Sequence, residues 1–136
     1  MGRSQASATP TPALPLALHV RSVLALADAM RSADHALIGR NVRPSLLRDM
    51  LVRLILIEHE EGRRQHIAFY QQQLRGRLKV SRTGTAREIA FLAAEQVILL
   101  EGAQVGGYKH YVVPTNRMLA WAVEQIPQIA LQWAPA

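Results

Sequence analysis

The chain has no cysteine in 136 residues. That excludes a disulfide framework, a thiolate metal site and a Cys nucleophile, and it is compatible with a reducing compartment. A cytoplasmic location is therefore the expectation. No uninterrupted apolar run approaches the roughly 20 residues of a membrane span. The short run Ala13 to Leu18 is interrupted by His19 and Arg21, which does not suit a secretory signal. Catalytic patterns are also missing. The segment GAQVGG (102–107) lacks the Lys-Ser/Thr of a phosphate-binding loop and does not open a helix. No Ser sits in a nucleophile elbow. No catalytic residue or cofactor is assigned, and a non-enzymatic role is expected.

Acidic residues are scarce. There are 10 of them against 16 basic ones, for a net charge of +6. The imbalance is local. From Arg63 to Arg87 there are seven basic residues (Arg63, Arg64, Arg75, Arg77, Lys79, Arg82, Arg87) and no Asp or Glu, which leaves nine basic against ten acidic residues elsewhere. A local basic surface beside a candidate helix is the electrostatic footprint of a nucleic-acid binder.

The length suits one domain, placed at residues 16–136. Residues 1–15, rich in Ser, Thr, Pro and Ala, form an expected disordered tail. Leu16 to Met30 reads as an amphipathic helix with Leu16, Val20, Val23, Leu24, Ala27 and Met30 as its stripe. Ser32 to Arg43 is read as a connection. Pro44 to Glu61 is a helix apolar nearly all round. In HEEGRRQH, His59, Glu60, Glu61 and His66 lack the spacing of two ligands on one helical face, so no metal is assigned. Gln65 to Leu74 reads as a short helix, and Arg75 to Val80 as the turn after it.

Ser81 to Gln96 reads as the next helix. Ile89, Leu92, Ala93 and Gln96 fall at i, i+3, i+4 and i+7. Ser81 suits the N-cap, and Gly84 weakens the first turn by roughly 1 kcal/mol. Two strand-like runs follow, Val97 to Leu100 and Tyr108 to Val113, around a turn-rich stretch with Gly106-Gly107. Asn116 to Trp133 is the last helix. Thr115 can cap it, Met118, Leu119, Ala122, Val123 and Ile126 face inward, and Pro127 is expected to stop or kink it. Helix, strand, loop, strand is the order of a winged helix. The expected fold is mainly α with a small two-stranded β wing.

The segment SRTGTAREIAFLAAEQVI resembles the recognition helix of the MarR family of winged helix-turn-helix regulators. Ser81, Arg82, Thr83, Arg87, Ile89, Leu92 and Val97-Ile98 match that family's pattern, and Val112 to Thr115 resembles its second wing strand and the start of its last helix. Gln96 stands where the family usually has Gly, and Gly106 to His110 replaces its charged wing motif. The resemblance implies additional N- and C-terminal dimerisation helices, a homodimer, double-stranded DNA as partner, and room for a small-molecule effector. Helix 81–96 would lie in the major groove. Ser81, Arg82, Thr83, Thr85 and Arg87 would be nearest base edges and phosphates. Arg75, Arg77 and Lys79 would anchor phosphates. Lys109 and His110, on the wing at about 102–110, would reach the backbone or minor groove. The alternative is a winged-helix protein-interaction or replication and assembly module with no duplex preference.

Overall fold

The structure is a computed structural model that describes residues 16–39, 42–43, 45–102 and 110–133, with side chains as far as residue 130. The expected tail and the loop 103–109, Lys109 included, lie outside the described residues. Five helices and three strands follow in the order α1 (Leu16–Ile38), α2 (Leu46–Glu60), β1 (Gln65–His66), α3 (Ile67–Leu78), α4 (Arg82–Ala94), β2 (Ile98–Gly102), β3 (His110–Pro114) and α5 (Asn116–Trp133). The molecule is mainly helical with a small antiparallel sheet.

That sheet has three strands, ordered β1-β3-β2, and not the two expected. Gln65 and His66 start no helix. They pair with Val112 and Tyr111 at the edge of the β2–β3 hairpin. The His66 ring stacks on Tyr111 at 4.2 Å between centroids, which gives this two-residue strand a side-chain anchor. Within the hairpin Ile98 faces Pro114 and Gly102 faces His110.

Helix α1 runs eight residues beyond Met30, because Ala33 and Leu37 extend its apolar period. These two are its buried residues, while Leu16, Val20, Val23 and Leu24 of the expected stripe are exposed. Gly39 at φ +118° ends the helix with a conformation that L side chains rarely adopt. Helix α2 starts after Ser45, whose hydroxyl accepts the Arg48 amide.

Helix α5 runs on past Pro127 to Trp133. Thr115 caps it, its Oγ1 accepting the Met118 amide at 3.2 Å. Met118 and Trp121 are buried among its described residues, and Val123 is exposed, against expectation. The Trp121 indole donates to the Ala33 carbonyl at 2.6 Å and pins α5 to α1.

Every element but β1 gives at least one buried residue to one core. Leu37, Leu51, Ile55, Tyr70, Leu74, Ile89, Leu92, Ile98 and Met118 are its most deeply buried large side chains. Full burial of each aliphatic one stabilises the fold by roughly 1.5–3 kcal/mol.

Candidate nucleic-acid interface

Helix α3 continues through Gly76, because Leu78 keeps the apolar spacing of Leu74. Arg75 and Arg77 therefore sit in its last turn, not in the connection. There their charge suits the partial negative charge of a helix C-terminus. Lys79 turns the chain at φ 55° with its amide bonded to the Arg75 carbonyl at 3.0 Å. Only Lys79, Val80 and Ser81 separate α3 from α4.

Ser81 caps α4 by accepting the Gly84 amide at 3.0 Å. Gly84 does not delay the helix. A Cβ there would lie 3.0 Å from Val80 Cγ1 and 3.3 Å from the cap hydroxyl, a close fit that glycine relieves. Gln71 Nε2 donates to the Arg82 carbonyl at 3.0 Å and fixes α3 against the start of α4. Arg75, Lys79, Val80, Ser81 and Arg82 line a recess of about 420 Å³.

Arg82, Thr83 and Arg87 are exposed, and Thr83, Arg87, Ala90 and Ala94 share the solvent face of α4. Beyond Arg87 this face has only small side chains, which leaves room for close approach. Thr85 is the correction. It is 0% exposed and faces the core with Ile89 and Leu92, and its hydroxyl has no hydrogen-bond partner. It cannot reach a ligand on the outer face.

The acidic residue of α4 is neutralised from behind. Arg48 Nε of α2 donates to Glu88 Oε2 at 2.7 Å, both side chains being 11% exposed. The Arg48 guanidinium also lies 4.8 Å from the centre of the Phe91 ring. Neither partner was singled out from the sequence. The carboxylate lies forty residues along the chain from its arginine, a separation that no local pattern marks.

The basic run divides in two. Arg63 forks onto Glu58, with Nε to Oε1 at 2.7 Å and Nη2 to Oε2 at 2.8 Å, and also pairs with Glu61. Gln65 Nε2 donates to the same carboxylate at 2.8 Å. Bonds from Arg63 first and Gln65 second hold the Glu58 carboxyl down to about 2. Arg64 pairs with Glu101 and lies 4.7 Å from the centre of the Tyr111 ring. Arg75, Arg77, Lys79, Arg82 and Arg87 are exposed and have no ion pair among the described residues.

His110 does not extend freely from the hairpin. It is half-buried opposite Gly102, where a Cβ would come within 3.1 Å of its ring, and its Nδ1 is buried without a partner. Among the described residues no three His, Cys, Asp or Glu side chains gather as metal ligands, and no helix is long and apolar enough to cross a membrane. Comparison of the chain with protein-family models, curated proteins and solved structures gives no match.

Proposed function

We propose that the chain is a sequence-specific double-stranded DNA-binding regulator of the MarR-like winged helix-turn-helix kind, acting as a homodimer with α4 in the major groove. The observation that carries the reading is the set of five exposed basic side chains, Arg75, Arg77, Lys79, Arg82 and Arg87, gathered on the end of α3, the turn and the front of α4 without acidic partners among the described residues. Arg75, Arg77 and Lys79 meet phosphates and set position. Arg82, Thr83 and Arg87 lie nearest base edges. Ser81 acts through the cap that starts α4. Thr85 belongs to the core and has no part in contact.

Two further features support the reading. Helix α4 is followed by an antiparallel hairpin and a last helix, in the order a winged helix requires. Gln96, where the resembled family usually has Gly, adopts φ 61°, the conformation for which glycine is favoured. For the dimer, the first half of α1 exposes Leu16, Leu18, Val20, Val23 and Leu24, and α5 exposes Val123. Apolar surface gathered on the two terminal helices suits a two-fold contact, with half-sites about one helical turn apart.

Selection of bound sequences from random duplex DNA at two salt concentrations tests the proposal. The expected outcome is an approximate palindrome, bound with affinity that falls steeply with salt. No binding at low salt, or binding insensitive to salt, overturns it in favour of the protein-interaction alternative. A strictly monomeric mass at micromolar concentration overturns the homodimer.

A further inference from the structure

Helix α1 is longer than the helix it packs on. The Trp121 indole meets the Ala33 carbonyl, and Arg117 reaches the Leu37 carbonyl. The two helices are therefore antiparallel, a step of four on one matching a step of four on the other. By that step the end of α5 comes level with about Arg21 of α1. The start of α1, from Leu16, runs past it. Leu16, Val20, Val23, Leu24 and Ala27 are exposed and form one stripe, roughly 16 Å long at about 1.5 Å per residue. The stripe lies about a quarter turn from the buried Ala33 and Leu37, so packing on α5 leaves it in solvent.

A cleft opens between the C-terminal half of α2 and α5. Two adjoining recesses of about 620 and 560 Å³ share Leu56, Ile57 and Ile126 as lining. Leu119, Ala122 and Val123 extend the first, and Met30 and Ile129 the second. The described residues do not cover this apolar surface: Ile57 is 48% exposed and Val123 79%.

Charge matches the stripe to the cleft. From Leu16 to Ala27 the chain carries Arg21 and no acidic residue. The mouth of the first recess carries Glu60 and Glu61 beside His59, at the partially negative end of α2. Glu61 is paired with Arg63. Glu60 and Arg21 are exposed and have no ion pair among the described residues.

We propose that the first half of α1 of one copy seats in the α2–α5 cleft of a second copy, and the reverse, so that two reciprocal contacts hold the dimer. The stripe covers Leu56, Ile57 and Ile126, and Arg21 lies at Glu60. The inference rests on the homodimer proposed above and names what holds it. Two-fold symmetry requires both seats, since each copy gives one helix end and receives one. A single copy does not close the contact on itself. Its α1 is one unbroken helix that lines the second recess with Leu26 and Met30 and then runs on past the end of α5.

The test reads association by sedimentation across micromolar concentrations. It compares the native chain, Leu24→Glu, Ile57→Lys and an equimolar mixture of the two variants. Both residues are exposed, so both variants should melt like the native chain. Where one does not, Val20→Glu or Val123→Lys takes its place. Each variant alone should associate at least about a hundredfold more weakly, because its substitution enters both seats, at about tenfold or more in each. The mixture should recover at least about tenfold. Its mixed dimer keeps one native seat and brings the two introduced charges, opposite in sign, together in the other. A native dimer weakened by Leu24→Glu but not by Ile57→Lys is held by α1 against α1, which overturns the seat. A dimer that neither variant weakens also overturns it and leaves the cleft to residues 1–15 or to an apolar ligand. No recovery in the mixture, or failure of all four variants to fold, overturns it as well. The homodimer survives each of these results. Only a native chain that stays monomeric overturns both.

Discussion

Arg63 and Arg87 belong to one run of basic sequence and do opposite things. Arg63 is fixed on Glu58 at the corner between α2 and β1, with Gln65 on the same carboxylate. Arg87 stands on the outer face of α4 with no acidic partner among the described residues. A run of like charge in sequence is not a surface. Carboxylates outside the run decide which members are satisfied internally. Glu58 and Glu101 take up Arg63 and Arg64, and Arg48 removes the one acidic side chain near the front of α4 from competition. Internal pairs fix the scaffold, and the basic residues without a pair among the described residues stay exposed on it.

The contrast can be broken from either side. Replacing Arg75 and Arg77 together by Ala should weaken specific and random duplexes alike. The salt slope should fall by roughly 1.8 log units per log salt, or some fifty-fold in affinity at about 0.1 M, which is about 2.4 kcal/mol. The thermal midpoint should not change, since both residues are exposed. A lower midpoint with unchanged affinity would assign them to the scaffold.

On the other side, Glu58→Gln should cost about 2 kcal/mol of stability at pH 7, through lost charge-assisted bonds at a buried acceptor, and leave DNA affinity as it was. The native Glu58 carboxyl lies below its ordinary value, so its stabilisation is present above about 4.5 and is lost as pH falls toward 2. Acid titration followed by circular dichroism should show that part of the loss in the native chain and not in the variant. Identical acid limbs would mean that the pair does not hold the corner.

Arg87→Ala should flatten preference at one base pair per half-site, by at least about 1 kcal/mol of the 1–3 that a good bidentate contact is worth. Random-duplex binding and melting should stay near native values. An unchanged selected sequence would move specificity to Arg82 or to the hairpin.

The smallest effect should be at Thr85, two residues away. Thr85→Val keeps the shape and removes a buried hydroxyl without a partner. Stability should be unchanged or rise by up to about 1 kcal/mol, with duplex affinity unaltered. A loss of affinity in a variant that melts like the native chain would show that Thr85 reaches the outer face.

The course of the helices was legible where one period dominates, and their ends were not. Ile89 and Leu92 mark the inner face of α4, and counting back four from Ile89 reaches Thr85. The polar side chain hid a core position that the spacing had already marked. The same happened at α1, where Ala33 and Leu37 continue the period beyond Met30 but stand among Ser, Asp and His. Gly76 and Pro127 were read as breaks, yet Leu78 and Ile129 pack on the core beyond them and keep both helices going. Strand β1 left no trace at all. Two residues carry no alternation, and Gln65 and His66 are extended only because β3 offers them an edge. The basic candidates of α3, the turn and α4 were legible from charge and order. Their separation from Arg63 and Arg64 was not, because Arg64's partner Glu101 lies thirty-seven residues along the chain and Glu58 precedes the run.

The pairing of β1 with β3 also sets an order of events during folding. The β2–β3 hairpin closes a short loop, and α3 and α4 pack as sequence neighbours, so both can form early. Gln65 must wait for Val112, because that contact closes a far longer stretch of chain for only two residue pairs. Nucleation in the half of the chain from Ile67 onward is the expected outcome. The corner where α2 meets β1 should then close last. Substitutions at His66 or Tyr111, which stack across that seam, should act on the unfolding rate far more than on the folding rate.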